Sequence, residues 1–488
     1  MKRRAFVSLA VVGGTAWLSG IRPAAAATPD PKVLHVLNRL GFGPRPGDVA
    51  RVSRMGVERY IQEQLSPEKL REPANLQRQL NKFATLKLDS GDLVREYRRP
   101  GSRDQRRMRR RMLRRKRRQV VEEARSARLL RAVESPRQLE EVMVDFWFNH
   151  FNVYAFKGLG GLWIGSYERD AIRPYVMGNF REILGATAKH PAMLLYLDNW
   201  RNTAPDSPGA RGRFKGLNEN YARELMELHT MGADGGYTQK DVETLARVLT
   251  GWGLANYRRS TDTGFYFDAR RHDVQPKVVL GQQLTQTGEQ EGEAALDLLA
   301  SHPSTAKFIS FKLAQYFVTD NPPQRLVDRL QKRFQATQGN IRAVLATLFQ
   351  SDEFWDERYF QKKYKTPYRY MISAVRSAGI DIKNPKPLVG ALAQLSMPLY
   401  GAQTPDGYDQ VEKAWLNPDG MMRRLNFAVL LGGGRSRLEM RQRKPIEPGQ
   451  LSDTAAMFLQ PGTLRIIASK RRGLRSGLIL GSPEFMYH

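Results

Sequence analysis

The 488-residue chain contains no cysteine. That absence removes disulfides, thiolate metal ligands, iron–sulfur clusters, a cysteine nucleophile and covalently attached c-type haem. Stability has to come from packing, and any metal site has to be built from His, Asp, Glu or Asn. Beyond Ile21, no segment approaches the ~20 apolar residues that span a bilayer. Catalytic signatures are equally sparse: there is no G-x-S-x-G elbow and no H-E-x-x-H pair. The glycine-rich stretch Gly158–Gly165 lacks the lysine and the preceding strand of a phosphate loop, which argues against nucleotide binding. Acids are few, 49 against 78 bases, for a formal charge of +29.

What is present begins with a segment that reads as an export signal over residues 1–27. Lys2, Arg3 and Arg4 precede an apolar stretch from Ala5 to Ile21, and Ala24–Ala27 offers a small-residue cleavage site. Arg3-Arg4 followed by Phe6, with Gly13, Gly14 and Gly20 in a mildly apolar stretch, matches a twin-arginine signal. Such substrates cross already folded. The expected location is periplasmic or secreted, with no transmembrane span in the mature protein.

The positive charge is concentrated. Between Arg95 and Arg118 lie fourteen basic residues and two acids, a net +12. Arg106, Arg107, Arg110, Arg111, Arg114 and Arg115 fall on a stretch that continues into good helix-forming sequence, with Met108, Met112 and Leu113 at the spacing of a narrow apolar seam. One reading makes this helix a clamp for a polyanion, either an acidic envelope glycan or an anionic lipid surface; the plainer reading is a solvated basic face. The export signal and the lack of interleaved aromatics argue against nucleic acid.

The remainder predicts a mainly α fold, a large multi-helix array with one small β-hairpin. A helix after Pro136 carries Leu139, Val142, Met143, Phe146, Trp147 and His150 on one face. Leu217 to Met231 reads as a helix with Tyr221, Ala222, Leu225, Leu228 and His229 inward and Glu224 at the edge of that face. Thr238 and Asp241 form a capping box for the next helix. Asn199–Gly216, rich in Gly, Pro and Arg, predicts a mobile flap or binding loop, and Gly264–Phe267 with Lys277–Leu280 predicts the hairpin or a pair of strands. The mature chain divides into a helical region over 28–290 and a second over 291–488, either separate or continuous.

Several of these stretches resemble one family. They are FWFNHFNV (Phe146–Val153), HPAMLLYLDN (His190–Asn199), LNENYARELMELHTMGADGGYTQKDV (Leu217–Val242) and ARVLTGW (Ala246–Trp252), with LNRLGFGP (Leu37–Pro44) and SPEF (Ser482–Phe485) near the two ends. The chain resembles the large bacterial family catalogued as domain of unknown function 1800. The resemblance implies export and an unassigned chemistry. It also implies a partner, since members are often encoded beside co-exported, alkaline-phosphatase-like proteins. The arginine run lies outside the resemblance.

Within those motifs, His150, Glu224 and His229 suggest a two-histidine, one-carboxylate set that would hold a divalent metal such as iron, manganese or zinc. His190, His272 and Asp273 are candidates for a further ligand or a general acid–base group. The competing account makes each buried histidine a hydrogen-bond partner that locks the packing. Two function classes therefore stand: a metal- or histidine-dependent envelope enzyme acting on an acidic or polymeric substrate, and a non-catalytic scaffold that binds a polyanion or a partner.

Overall fold

The computed structural model describes residues 30–97, 102–255, 263–436, 438 and 445–488. The export signal and part of the Arg95–Arg118 run lie outside the described residues. The fold is mainly α, as the sequence predicts, with two separate two-stranded antiparallel ladders among the described residues. No described helix is long and apolar enough to cross a membrane.

Helix starts follow local chemistry. Ser102 opens the 32-residue helix Arg103–Glu134 through a reciprocal capping box with Gln105. Thr238 does the same with Asp241 for Gln239–Val248. Two helices begin at His-Pro pairs. His190 caps Pro191–Tyr196 by accepting from the Ala192 N–H at 3.2 Å, and His302 caps Pro303–Phe317 by accepting from the Ser304 N–H at 3.2 Å. Proline at the first helical position has no N–H to leave unsatisfied, so the imidazole Nδ1 serves the next orphan donor.

One hydrophobic core runs from Val33 to Met486. Gln138–His150 lies deep within it, with Leu139, Val142, Met143, Phe146, Trp147 and His150 buried. Behind this helix sits a buried ion network. Arg128 pairs with Asp145 at 2.7 Å and Glu168 at 3.3 Å, and Arg173 holds Glu141 by two bonds of 2.7 and 2.9 Å. Tyr400 donates to Glu168 at 2.7 Å and Tyr316 to Asp145 at 3.1 Å, so residues beyond 291 complete a network begun before it.

Three local expectations are corrected. The Leu217–Met231 segment is a short α-helix, Asn220–Glu224, running into a π-turn, Leu225–Thr230. The wider turn brings Met226 and Thr230 inward and leaves Leu228 half-buried. The two predicted strands do not pair with each other. Phe265–Phe267 pairs with Trp252–Leu254, and Val278–Val279 pairs with Gln282–Gln283 across a tight turn in which Leu280 and Gly281 both have positive φ. Asn199–Gly216 is pinned rather than free: Asn202 donates to the Ala246 carbonyl at 2.7 Å and accepts from the Asn218 N–H at 2.9 Å.

Candidate functional site

A cleft of about 720 Å³ opens where three segments meet. Phe146, Asn149 and His150 come from the end of Gln138–His150; Lys312, Gln315 and Tyr316 come from Pro303–Phe317. The third side is the loop carrying Asp406, Tyr408 and Asp409.

The motif asparagines build this site by gripping that loop. Asn149 Nδ2 donates to the Tyr408 carbonyl at 2.9 Å, and its Oδ1 accepts from the Tyr408 N–H at 2.8 Å. Asn152 Nδ2 donates to the carbonyls of Ala402 at 3.2 Å and Thr404 at 2.8 Å. Gly407 lies between them at φ 76°, where a Cβ would meet Asn149 Oδ1 at 2.7 Å. Only glycine fits that approach and that backbone. FNHFN therefore reads as a clamp with a histidine at its centre.

His150 sits at the cleft's inner wall. Its Nε2–H donates to the His229 carbonyl at 3.0 Å, which leaves Nδ1 as the lone-pair nitrogen of a neutral ring. Burial holds its pKa well below the usual histidine range, and the charge of Lys312 and the neighbouring His229 push the same way. Burial also lowers the Lys312 amine, an effect that Asp406 and Asp409 partly offset. Among the described residues, Lys312, Asp406 and Asp409 make no ion pair, whereas Asp320 on the same cleft is held by Lys363 at 2.5 Å. The cleft thus presents an uncommitted amine and two uncommitted carboxylates beside a neutral imidazole.

The other predicted residues fall around and away from it. His229 lies 6.3 Å from His150 between ring centroids, so the two motif histidines do come together. Their polar link, though, is ring to backbone. His229 Nε2 is buried without a hydrogen-bond partner, and burial lowers its pKa to about 3. Glu224 is half-buried, and burial followed by Glu227 and Asp406 raises its carboxyl, against Arg223. Among the described residues, no three His, Asp or Glu side chains are grouped so as to hold a metal ion.

His190 and His272 occupy other places. His190, a helix cap, has Nε2 3.3 Å from Ser90 Oγ, which donates to Ser166 Oγ at 2.7 Å. His272 lies between the Thr250 carbonyl, 3.0 Å from Nδ1, and Glu291, 3.3 Å from Nε2. Asp273 is bound by Arg247 at 2.7 and 3.3 Å. Burial alone would raise the Asp273 carboxyl, but Arg247, the Gln275 N–H and Lys277 hold it below its usual value. Arg106, Arg107, Arg110, Arg111, Arg114 and Arg115 are exposed, and none makes an ion pair among the described residues.

Lys312, Asp406 and Asp409 are the residues that sequence reasoning missed. The available signal was the Asp406-Gly407 pair, a turn inside a Gly/Pro/Asp-rich stretch, but nothing local links it to Asn149, which lies 259 positions before the Tyr408 that it grips.

No curated protein and no solved structure matches the chain. A family model described as "Protein of unknown function (DUF1800)" matches residues 35–487, which take in the whole cleft and both asparagine clamps. The chain belongs to this DUF1800 family.

Proposed function

We propose that this chain is an exported envelope protein that binds a segment of a polar, hydroxyl-rich envelope polymer in the His150–Lys312 cleft and acts on it by acid–base chemistry. The observation that carries this reading is the Lys312 amine beside the carboxylates of Asp406 and Asp409, none of them in an ion pair among the described residues, in a cleft of about 720 Å³. An ammonium and two carboxylates lining one cleft suit a substrate with hydroxyl, amide or amino groups, each of which finds a donor or an acceptor there. Burial makes the Lys312 ammonium a readier proton donor than an exposed lysine, and the neutral imidazole of His150 can accept or relay a proton beside it. Export is supported by the charge, apolar stretch and alanines of residues 1–27.

The test uses the mature protein and soluble amino-sugar oligomers prepared from bacterial cell wall. Binding is followed by calorimetry, and cleavage by the appearance of new reducing or amine ends. Wild type is expected to bind and cleave. Lys312→Gln is expected to lose cleavage by about a hundredfold or more while its circular dichroism stays unchanged. Equal activity in a folded Lys312→Gln protein would remove Lys312 from the chemistry.

A further inference from the structure

The cleft leaves the arginine helix unexplained. From Ser102 to Met112 no residue of Arg103–Glu134 is buried; from Leu113 onwards one face is. The ten helical residues Arg103–Met112, at 1.5 Å each, make an arm of about 15 Å that is exposed except at the half-buried Arg109. Its root is fixed. Arg117 donates to the Gly158 carbonyl, and a Cβ on Gly161 would meet the Arg117 stem at 2.8 Å and Val121 at 3.0 Å. The glycine stretch Gly158–Gly165 is therefore the seat of the arm.

The arm carries an apolar pair that its charge does not require. Met108 is 68% exposed and Met112 57%. At 100° per residue the pair points about 120° away from the face that Leu113, Val120 and Ala124 bury. Arg111 and Arg115 flank it, and Asp104 is the one acid on the arm. A soluble polyanion would engage the arginines and leave both thioethers in water. An anionic bilayer accommodates both, with phosphates for the guanidinium groups and an acyl boundary for the methionines.

We infer that the exposed end of Arg103–Glu134 docks the protein onto an anionic lipid surface, with Met108 and Met112 entering the headgroup layer and the surrounding arginines pairing with lipid phosphates. The inference is independent of the chemistry proposed for the cleft. Each basic residue near such a surface adds to affinity, and salt screens the effect over a distance of about 10 Å at 0.1 M.

The experiment uses the mature chain with vesicles of phosphatidylcholine alone or mixed with phosphatidylglycerol. Because the chain has no cysteine, Met112→Cys gives a single site for an environment-sensitive fluorophore. A label at Gln350→Cys, outside this helix, is the control. The expected result is salt-sensitive binding to the phosphatidylglycerol vesicles only, with a blue shift at position 112 and none at 350. Replacing Arg110, Arg111, Arg114 and Arg115 by Gln should weaken binding about a hundredfold or more. Replacing the same four by Lys should retain most of it, which separates loss of charge from loss of fold. Binding without a blue shift at position 112, or equal binding to a soluble sulfated dextran, would make the arm a polyanion clamp and overturn the lipid assignment. Failure to bind phosphatidylglycerol vesicles would overturn it as well.

Discussion

Asn149 holds Tyr408 by both main-chain groups, donating to its carbonyl at 2.9 Å and accepting from its N–H at 2.8 Å. A side-chain amide thereby does what a neighbouring strand would do, across a large separation in sequence. The loop that carries Asp406 and Asp409 owes its place to this contact.

Asn149→Ala should therefore release the loop. It leaves the half-buried Tyr408 N–H without a partner and its carbonyl with Gln410 Nε2 alone at 3.2 Å, at about 1–3 kcal/mol of stability, and should weaken ligand binding in the cleft. Gly407→Ala should be worse than an ordinary Gly→Ala change, because the new Cβ meets Asn149 and the backbone sits at φ 76°. Urea denaturation compares the two stabilities, and calorimetry follows the cleft.

The pH dependence of Lys312 is set by its neighbours. Asp406 raises the amine against the larger lowering by burial, so Asp406→Asn should let it lose its proton at lower pH. Rates of modification by an amine-selective reagent, measured between pH 6 and 10 and located by peptide mapping, should shift to lower pH in that variant. A shift to higher pH would contradict the assignment.

Glu168 stands at the centre of the buried ion network. Burial raises its carboxyl, but Arg173, Arg128 and the Tyr400 hydroxyl together bring it below the ordinary value. Its contribution to stability is thus present above about pH 4.3 and is lost as pH falls through the folded-state value. Glu168→Gln should cost about 3–5 kcal/mol by leaving two buried arginines short of a partner. The variant should also lose part of the wild type's acid sensitivity in thermal melts.

His190 and His229 act over a different window. Burial lowers each to about 3, with the Arg169 charge adding to the effect at His190. From about pH 6.5 down to 3 the unfolded chain takes up protons that these folded rings refuse, so stability falls with pH. His190→Asn keeps a cap for Pro191–Tyr196 and should flatten that slope at small cost near pH 7. His190→Ala should flatten the slope in the same way but lose about 1 kcal/mol near pH 7, where the cap is missing and the ring's titration does not contribute.

The sequence carried the strong periodicities and the caps. The apolar face of Gln138–His150, the capping box of Thr238 and Asp241, and the helical character of the arginine run were all legible because each is written within a few turns of chain. The π-turn at Leu225–Thr230 was not, since an α-period fits those residues nearly as well and only packing selects the wider turn. The paired histidines 150 and 229 were legible as inward residues, but the His229 carbonyl as partner was not. Composition cannot place Lys312 beside Asp406, because their meeting depends on Asn149 and Asn152 reaching a loop far along the chain.

The helix Pro367–Ser377 receives both ends of the family region. Arg369 donates to the Asn38 and Gly41 carbonyls at 2.6 and 2.8 Å, and Tyr370 donates to the Leu480 carbonyl at 3.0 Å. Just before it, Lys365 donates to the Phe485 carbonyl at 2.8 Å. This helix is a hub on which a segment 331 positions upstream and another 110 positions downstream both depend. Contacts at such separations form only after long loops have closed, which slows folding. A chain cut before Leu480 would strip the hub of one of its two sides, and should be a substrate for chaperones and proteases rather than a smaller working protein.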